Sequence, residues 1–148
     1  MREMKFCYRS EERLIFGKDC HYYIRLPVLR DTESFLNENV RFLVDTGAYI
    51  TVINMATSSL LGFDDFVPIV DSFPLTGFAG SCNASLKEIP GIVIGGRLLK
   101  GVKVAIPHEE TKHSILGLNV LENLITSWIL KDVLCIFTIM QCTKCLMS

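Results

Sequence analysis

Two short runs of strand-forming residues, separated by a tight polar turn, restrict the fold of this chain more than any other feature. Residues 40–44 and 49–53 are rich in β-branched and aromatic side chains, and an Asp-Thr-Gly-Ala segment lies between them at residues 45–48. Runs of this length and composition are typical of buried strands. The sequence therefore predicts two core strands, joined by a turn that brings an acidic residue to the edge of the core.

The remainder of the chain shows the same pattern of short strands punctuated by turns. Gly95 and Gly96 give a strong two-residue hairpin signal between β-rich runs. Pro27 places its own strand near a sheet edge or a bulge, because proline cannot donate to a ladder. The further predicted strand segments lie at residues 21–30, at 66–94 around a glycine-containing turn, at 98–106, and in a closing hairpin at 128–139.

Two segments favour short helices. Residues 54–61 are followed by Gly62, a typical helix stop, and apolar side chains recur at helical spacing in residues 118–125. Charges such as Lys87 and Glu88 are interpreted as ordinary strand-edge residues. The prediction is one all-β domain over residues 1–148, with a core at about 21–140 and one or two short helices.

Composition excludes several classes of function. The chain has 148 residues, and its 15 Lys and Arg against 16 Asp and Glu leave a formal charge of −1. That balance argues against a nucleic-acid binder, which would carry a basic stripe. No apolar run reaches the ~18–20 residues that span a bilayer, so no membrane span is expected.

Cysteine and histidine usage indicates neither a metal site nor a redox centre. The six cysteines include one Cys-x-x-Cys pair, Cys142 and Cys145, with no second pair near it, and the three histidines have no ligand spacing. No signal peptide pattern follows the first residues, so we expect free thiols in a reducing, cytoplasmic location. No metal and no organic cofactor are predicted.

Asp45 is the candidate functional acid. Mostly apolar residues precede it, Gly47 allows a turn and the close approach of another molecule, and the Thr46 hydroxyl can both donate and accept hydrogen bonds. Asp and Gly are also ordinary turn residues. Taken alone, the tripeptide and its flanks therefore fit a solvent-facing hairpin turn as well as a functional site.

Three segments, in order along the chain, resemble signatures of the retropepsin-like aspartic proteases. Residues 42–53 resemble the active-site segment, residues 76–81 the glycine-bearing flap hairpin, and residues 115–121 the second signature, in which two apolar residues and a glycine lead into a short helix. Together they extend over roughly residues 22–139. The resemblance implies the acid protease fold, a closed β-barrel or sandwich. Viral members usually carry an arginine where this chain has Leu118, so the chain is more similar to the cellular and prokaryotic branch.

Aspartic proteolysis needs two carboxylates that face one water molecule. The chain holds a single Asp-Thr-Gly and has no room for a second lobe, which predicts that Asp45 meets its own copy in a homodimer. The resemblance implies the same arrangement. It further implies that Thr46 bonds across the two-fold axis, and that Gly47 and Ala48 border the backbone of a polypeptide substrate.

The resemblance also assigns expected roles outside the turn. Gly77, Phe78, Ala79 and Gly80 would close over the substrate as a flap. The apolar residues and the glycine of the second signature are expected to pack beneath the turn without touching substrate. They are Ile115, Leu116 and Gly117.

Two other functions stay open at this stage. The same fold could serve as a non-catalytic dimerisation or peptide-binding module, which the loss of the arginine at Leu118 favours. It could also be a plain β-barrel scaffold in which Asp45 is a turn residue.

Overall fold

The structure is a computed structural model, and it describes residues 15–77 and 80–125. These residues form a β-rich fold. Strands make up about half of it, with two short helices and one 3-10 turn at Phe63–Asp65. The strands are β1 (Ile15–Phe16), β2 (Tyr22–Leu26), β3 (Val28–Leu29), β4 (Val40–Val44), β5 (Thr51–Val52), β6 (Val70–Gly77), β7 (Gly80–Ile94), β8 (Arg97–Pro107) and β9 (Ser114–Leu116). The helices are α1 (Met55–Leu61) and α2 (Leu118–Ile125).

The sheet nearly closes into a barrel because one stretch of chain pairs at both of its ends. The strand order is β1-β2-β4-β9-β5-β8-β7-β3, with β6 paired to β7. Only Pro27 separates β2, which pairs with β4, from β3, which pairs with β7. The Pro27 carbonyl accepts a hydrogen bond from the Val93 N–H at 2.9 Å. The predicted all-β barrel is confirmed, and Pro27 interrupts its strand as expected.

The two strands that flank the Asp-Thr-Gly turn do not pair with each other. β9 lies between them, parallel to β4 and antiparallel to β5. The turn is therefore no hairpin turn, contrary to the simplest alternative considered above. β5 is also shorter than the predicted run of residues 49–53, because the carbonyls of Ala48 and Tyr49 accept hydrogen bonds from the start of α2 instead of from a strand.

The core fills the inside of the barrel and fixes the face of each strand. In β4, Val40, Phe42 and Val44 are buried while Arg41 is exposed. Full burial of one such apolar side chain contributes about 1.5–3 kcal/mol. The rest of the core comes chiefly from β2, β3, β7, β8 and β9 and from the two helices. This alternation anchors β4, and with it the acidic turn that follows.

Local sequence signals placed several elements correctly. Gly62 ends α1 with φ at 71°, and Gly95 and Gly96 join β7 to β8 with φ values of 59° and 71°. These left-handed angles are the ones that glycine adopts without strain. The helix over residues 118–125 is confirmed as α2. The predicted closing hairpin at residues 128–139 lies outside the described residues.

The interpretation of Lys87 as an ordinary edge charge is wrong. Its side chain is buried, and Nζ donates to the Phe63 carbonyl at 2.7 Å. The long aliphatic stem accounts for this burial, because it covers apolar surface while the amine reaches a backbone acceptor. The neighbouring Glu88 is exposed, as expected.

Neither of the helices in the described part of the chain is long and apolar enough to cross a membrane.

The cap of α1 gives a test of the fold. Asn54 Oδ1 accepts from the Thr57 N–H at 3.0 Å, and Nδ2 donates to the Thr111 carbonyl at 3.2 Å. Asn54→Ala should lower the free energy of unfolding by about 1–2 kcal/mol, measured by urea denaturation. Asn54→Ser keeps a capping oxygen and should lose about half as much. Equal losses in both variants would show that the cap contributes nothing.

Candidate active site

Backbone contacts hold Asp45 directly after β4. Its N–H donates to the Leu116 carbonyl at 3.2 Å, and its carbonyl accepts from the Ala48 N–H at 3.2 Å. Its side chain is half-buried, and Oδ1 accepts from the Gly47 N–H at 2.8 Å. Within residues 15–77 and 80–125, Oδ2 accepts no hydrogen bond. One carboxylate oxygen is thus oriented by the turn, and the other remains available to a further molecule.

The turn tip faces outward. Thr46 and Gly47 are exposed and Ala48 is half-buried. The Thr46 hydroxyl makes no hydrogen bond to any residue that the structure describes. At Gly47 a Cβ atom would lie 3.1 Å from Asp45 Oδ1, so a larger residue would crowd the carboxylate. Thr46 is expected to bond to a second subunit, and Gly47 and Ala48 are expected to border a substrate. Both expectations concern contacts with other molecules, so they stay predictions.

Ile115, Leu116 and Gly117 lie against the turn. Leu116 is fully buried and pairs with Val44 in the parallel ladder of β4 and β9. A Cβ atom on Gly117 would lie 2.5 Å from the carbonyl carbon of Ile50 and 2.6 Å from its oxygen. Because those atoms belong to the backbone, only glycine fits without displacing the chain that follows the turn.

A buried hydroxyl ties the two signatures together. Thr51 is fully buried, and its Oγ1 accepts from the Gly117 N–H at 3.1 Å and donates to Asn119 Oδ1 at 2.9 Å. Asn119 Oδ1 also accepts from the Thr51 N–H at 2.8 Å, and its Nδ2 donates to the Lys103 carbonyl at 2.7 Å. These bonds join β5, the Gly117 turn, α2 and β8 beneath Asp45.

Sequence reasoning missed Asn119, to which it assigned no role of its own. One signal was available. Thr51 lies in the middle of an apolar strand, and a buried hydroxyl requires a partner. The sequence does not show which polar residue supplies that partner, because Thr51 and Asn119 are far apart along the chain.

The predicted flap segment forms the end of the β6–β7 hairpin. Gly77 pairs with Gly80, and Thr76 pairs with Ser81, with their hydroxyl oxygens 3.2 Å apart. Gly80 has φ at 117°, a conformation that favours glycine. Phe78 and Ala79, the predicted tip of the flap, lie outside the described residues.

The described residues offer no metal site beside the acidic turn. Among the described residues no group of three or more His, Cys, Asp or Glu side chains could hold a metal ion. The exposed ring of Tyr49 and the half-buried Ile50 follow Ala48 directly, so the residues next along the chain from the turn are uncharged.

Solved structures share this fold. A retropepsin-like aspartic protease from Rickettsia conorii aligns with a TM-score of 0.53 and 22% identity, over 74% of this chain and 75% of that one. EIAV protease in complex with the inhibitor HBY-793 aligns with a TM-score of 0.53 and 18% identity, over 81% of this chain and 95% of that one. The likeness shows the retropepsin-like all-β fold, as the sequence predicted.

The sequence itself gives the family. Residues 34–123, more than half of the chain, match the family described as "gag-polyprotein putative aspartyl protease". The chain belongs to this family, which confirms the resemblance drawn from its three motifs. None of the curated proteins matches the chain. The family and the fold together support aspartic protease activity in general.

Removal of the buried hydroxyl tests the support beneath Asp45. Thr51→Val keeps the side-chain shape but leaves the Gly117 N–H without its acceptor, so the free energy of unfolding should fall by about 1–3 kcal/mol. Thr51→Ser keeps the hydroxyl and loses one methyl group, which costs about 1 kcal/mol. Thermal and urea unfolding of both variants provide the measurement. If the valine variant is at least as stable as the serine variant, the hydrogen bonds do not support the turn.

Proposed function

We propose that this protein is an aspartic endopeptidase, in which two Asp45 carboxylates, one from each subunit of a homodimer, hydrolyse peptide bonds. The observation that carries the proposal is the setting of Asp45. Its backbone is fixed by Leu116 and Ala48, one carboxylate oxygen is bound by the Gly47 N–H, and the turn is open on its outer side. Membership of an aspartyl protease family supports the same chemistry.

In this mechanism the two carboxylates share one proton. Two ionised carboxylates about 3 Å apart would repel each other by roughly 5 kcal/mol at an effective dielectric constant of ~20. The pair therefore holds a single proton over a wide pH range. The ionised member accepts a proton from the attacking water, and the protonated member donates toward the carbonyl oxygen of the scissile bond.

The homodimer follows from the need for a second acid. The sequence holds one Asp-Thr-Gly, so the second carboxylate comes from a second copy of the chain. The exposed Thr46 hydroxyl, which has no hydrogen-bond partner in the described part of its own chain, is suited to a bond across the two-fold axis. Leu118 uses its backbone N–H to bind the Ala48 carbonyl at 2.8 Å, which supports the turn without the arginine of viral members.

Substrate would lie between the turns and the flaps. Gly47 and Ala48 border its backbone, and Gly77, Phe78, Ala79 and Gly80 close over it. Ile115, Leu116 and Gly117 hold the turn from below. The uncharged surface near Ala48 and Ile50 suits apolar side chains on both sides of the cleaved bond. The reaction needs no metal and no organic cofactor.

The proposed location is the cytoplasm. Cys20 and Cys82 are free thiols, which suits a reducing compartment.

Asp45→Asn tests the chemical role directly. The amide has nearly the same shape as the carboxyl group but cannot act as an acid or a base, so cleavage of an unstructured polypeptide at mildly acidic pH should fall by about 10²–10⁴-fold or more. Asp65→Asn, at an exposed carboxylate outside the site, is the matched control and should keep full activity. Peptide products are measured by mass spectrometry. Absence of cleavage by the wild type would favour the non-catalytic peptide-binding module, and equal cleavage by wild type and Asp45→Asn would show that Asp45 is not the catalytic acid.

Dilution tests whether the site is shared between chains. Specific activity should fall as the protein is diluted below the dissociation constant of the dimer. Excess Asp45→Asn protein, mixed with a fixed amount of wild type, should suppress activity because mixed dimers hold one functional acid. Activity is followed by peptide cleavage, and mass by sedimentation. A fully active monomer, with specific activity independent of concentration, would contradict the homodimer.

A further inference from the structure

A cleft lies beside the start of β4, at the opposite end of that strand from the acidic turn. Its volume is about 660 Å³, and its walls come from the loop before β4, the start of β4, α1 and the loop before β9. Val40, which lines this cleft, begins β4, and Asp45 directly follows the end of that strand. Since a strand rises about 3.3 Å per residue, their Cα atoms are about 16 Å apart. The cleft is therefore separate from the proposed catalytic centre.

Positive charge dominates the cleft. Arg30, Arg41 and Lys112 line it, against a single carboxylate, Glu38. None of these three cations forms a salt bridge within residues 15–77 and 80–125, although Arg30 is close enough to the neighbouring Asp31 carboxylate to interact with it electrostatically. His113 also lines the cleft, and burial, with Lys112 and Arg41 nearby, lowers the pKa of its imidazole. The charge comes from the arginines and the lysine, which keep it at neutral pH.

One of these cations is held in place before any ligand arrives. The Arg41 guanidinium carbon lies 3.8 Å from the centre of the Tyr23 ring. Tyr23 is only 2% exposed, its hydroxyl donates to Asp19, and its ring contacts His113 edge-on at 5.3 Å between centroids. A guanidinium stacked on an aromatic face keeps its N–H edge free for a planar acceptor. Less freedom is lost when such a group binds a carboxylate.

We propose that this cleft binds an acidic segment of a polypeptide, whose carboxylates pair with Arg30, Arg41 and Lys112. The segment would belong to the substrate, so this part rests on the proposed function. Three features favour a peptide over a small anion. The volume exceeds what one anion fills, Asn37 and Asn39 can both donate to and accept from peptide groups, and apolar walls lie beside the charges.

The distance between the two sites restricts the substrate. An extended chain spans at most about 3.6 Å per residue, so the acidic segment must be at least about five residues from the cleaved bond. A longer separation is needed if the chain follows the curved surface of the barrel. The cleft would then select substrates by a sequence remote from the bond that is cut.

Peptide binding to the full-length Asp45→Asn protein tests the cleft without any need for cleavage. The probe is a short fluorescent peptide rich in Asp and Glu, compared by anisotropy with its Asn and Gln counterpart. Arg30→Gln combined with Lys112→Gln should weaken binding of the acidic peptide by about tenfold or more, because charge-assisted hydrogen bonds are lost. Arg97→Gln combined with Lys103→Gln removes the same charge at exposed positions outside the cleft, and should change binding by less than about twofold.

Each other outcome overturns the proposal. Equal weakening by both double variants would mean non-specific attraction, and equal binding of the acidic and amide peptides would mean that carboxylates are not recognised. Binding of a phosphopeptide without binding of the acidic peptide would assign the cleft to phosphate instead. Thermal unfolding of both double variants confirms that they fold.

A cleavage assay separates this inference from the proposed function. Adding the acidic segment to a cleavable peptide should lower KM without changing kcat, and the double variant in the cleft should abolish that difference. If the acidic peptide binds the cleft but no peptide is cleaved, the proposed function fails while the cleft stands. If cleavage occurs and the segment does not change KM, the substrate role of the cleft fails alone.

Discussion

The insertion of β9 between β4 and β5 is the constraint on which the rest of the structure depends. Two strands that are neighbours in sequence but are separated by a third must be joined by a segment that crosses the end of that third strand. Here the segment after Asp45 passes over Gly117, so closely that a Cβ atom would lie 2.5 Å from a backbone carbon. A glycine at the end of β9 is therefore a requirement of the topology.

The same crossing determines where the acid lies and what it can reach. The Leu116 carbonyl accepts from the Asp45 N–H, and the N–H groups of Leu118 and Asn119 bind the carbonyls of Ala48 and Tyr49. Backbone groups thus fix both sides of the turn, so its position does not depend on the protonation of any side chain. Such preorganisation suits a carboxyl group that must exchange a proton during a reaction.

Sequence reasoning succeeded where the signal was local and failed where it depended on distant contacts. The stop at Gly62, the turn at Gly95 and Gly96, and the three family motifs can be found from neighbouring residues alone. The position of β9 and the partner of Thr51 could not, because each requires segments more than 60 residues apart to meet. Lys87 shows the same limit, since its burial depends on the carbonyl of Phe63, which lies on another element.

With a site at each end of β4, one would cleave the peptide bond and the other would select the substrate. Binding that is equal in the ground state and the transition state lowers KM but leaves the chemical barrier unchanged, so a remote cleft can discriminate among substrates without altering the carboxylates. A substrate that binds weakly at both sites is held more tightly than at either one alone, because binding at the first site raises its effective concentration at the second. The alternation of β4 directs Phe42 into the core and Arg41 outward into the cleft, and Asp45 follows the end of the same strand. One strand therefore positions both the cleft and the acidic turn relative to the core.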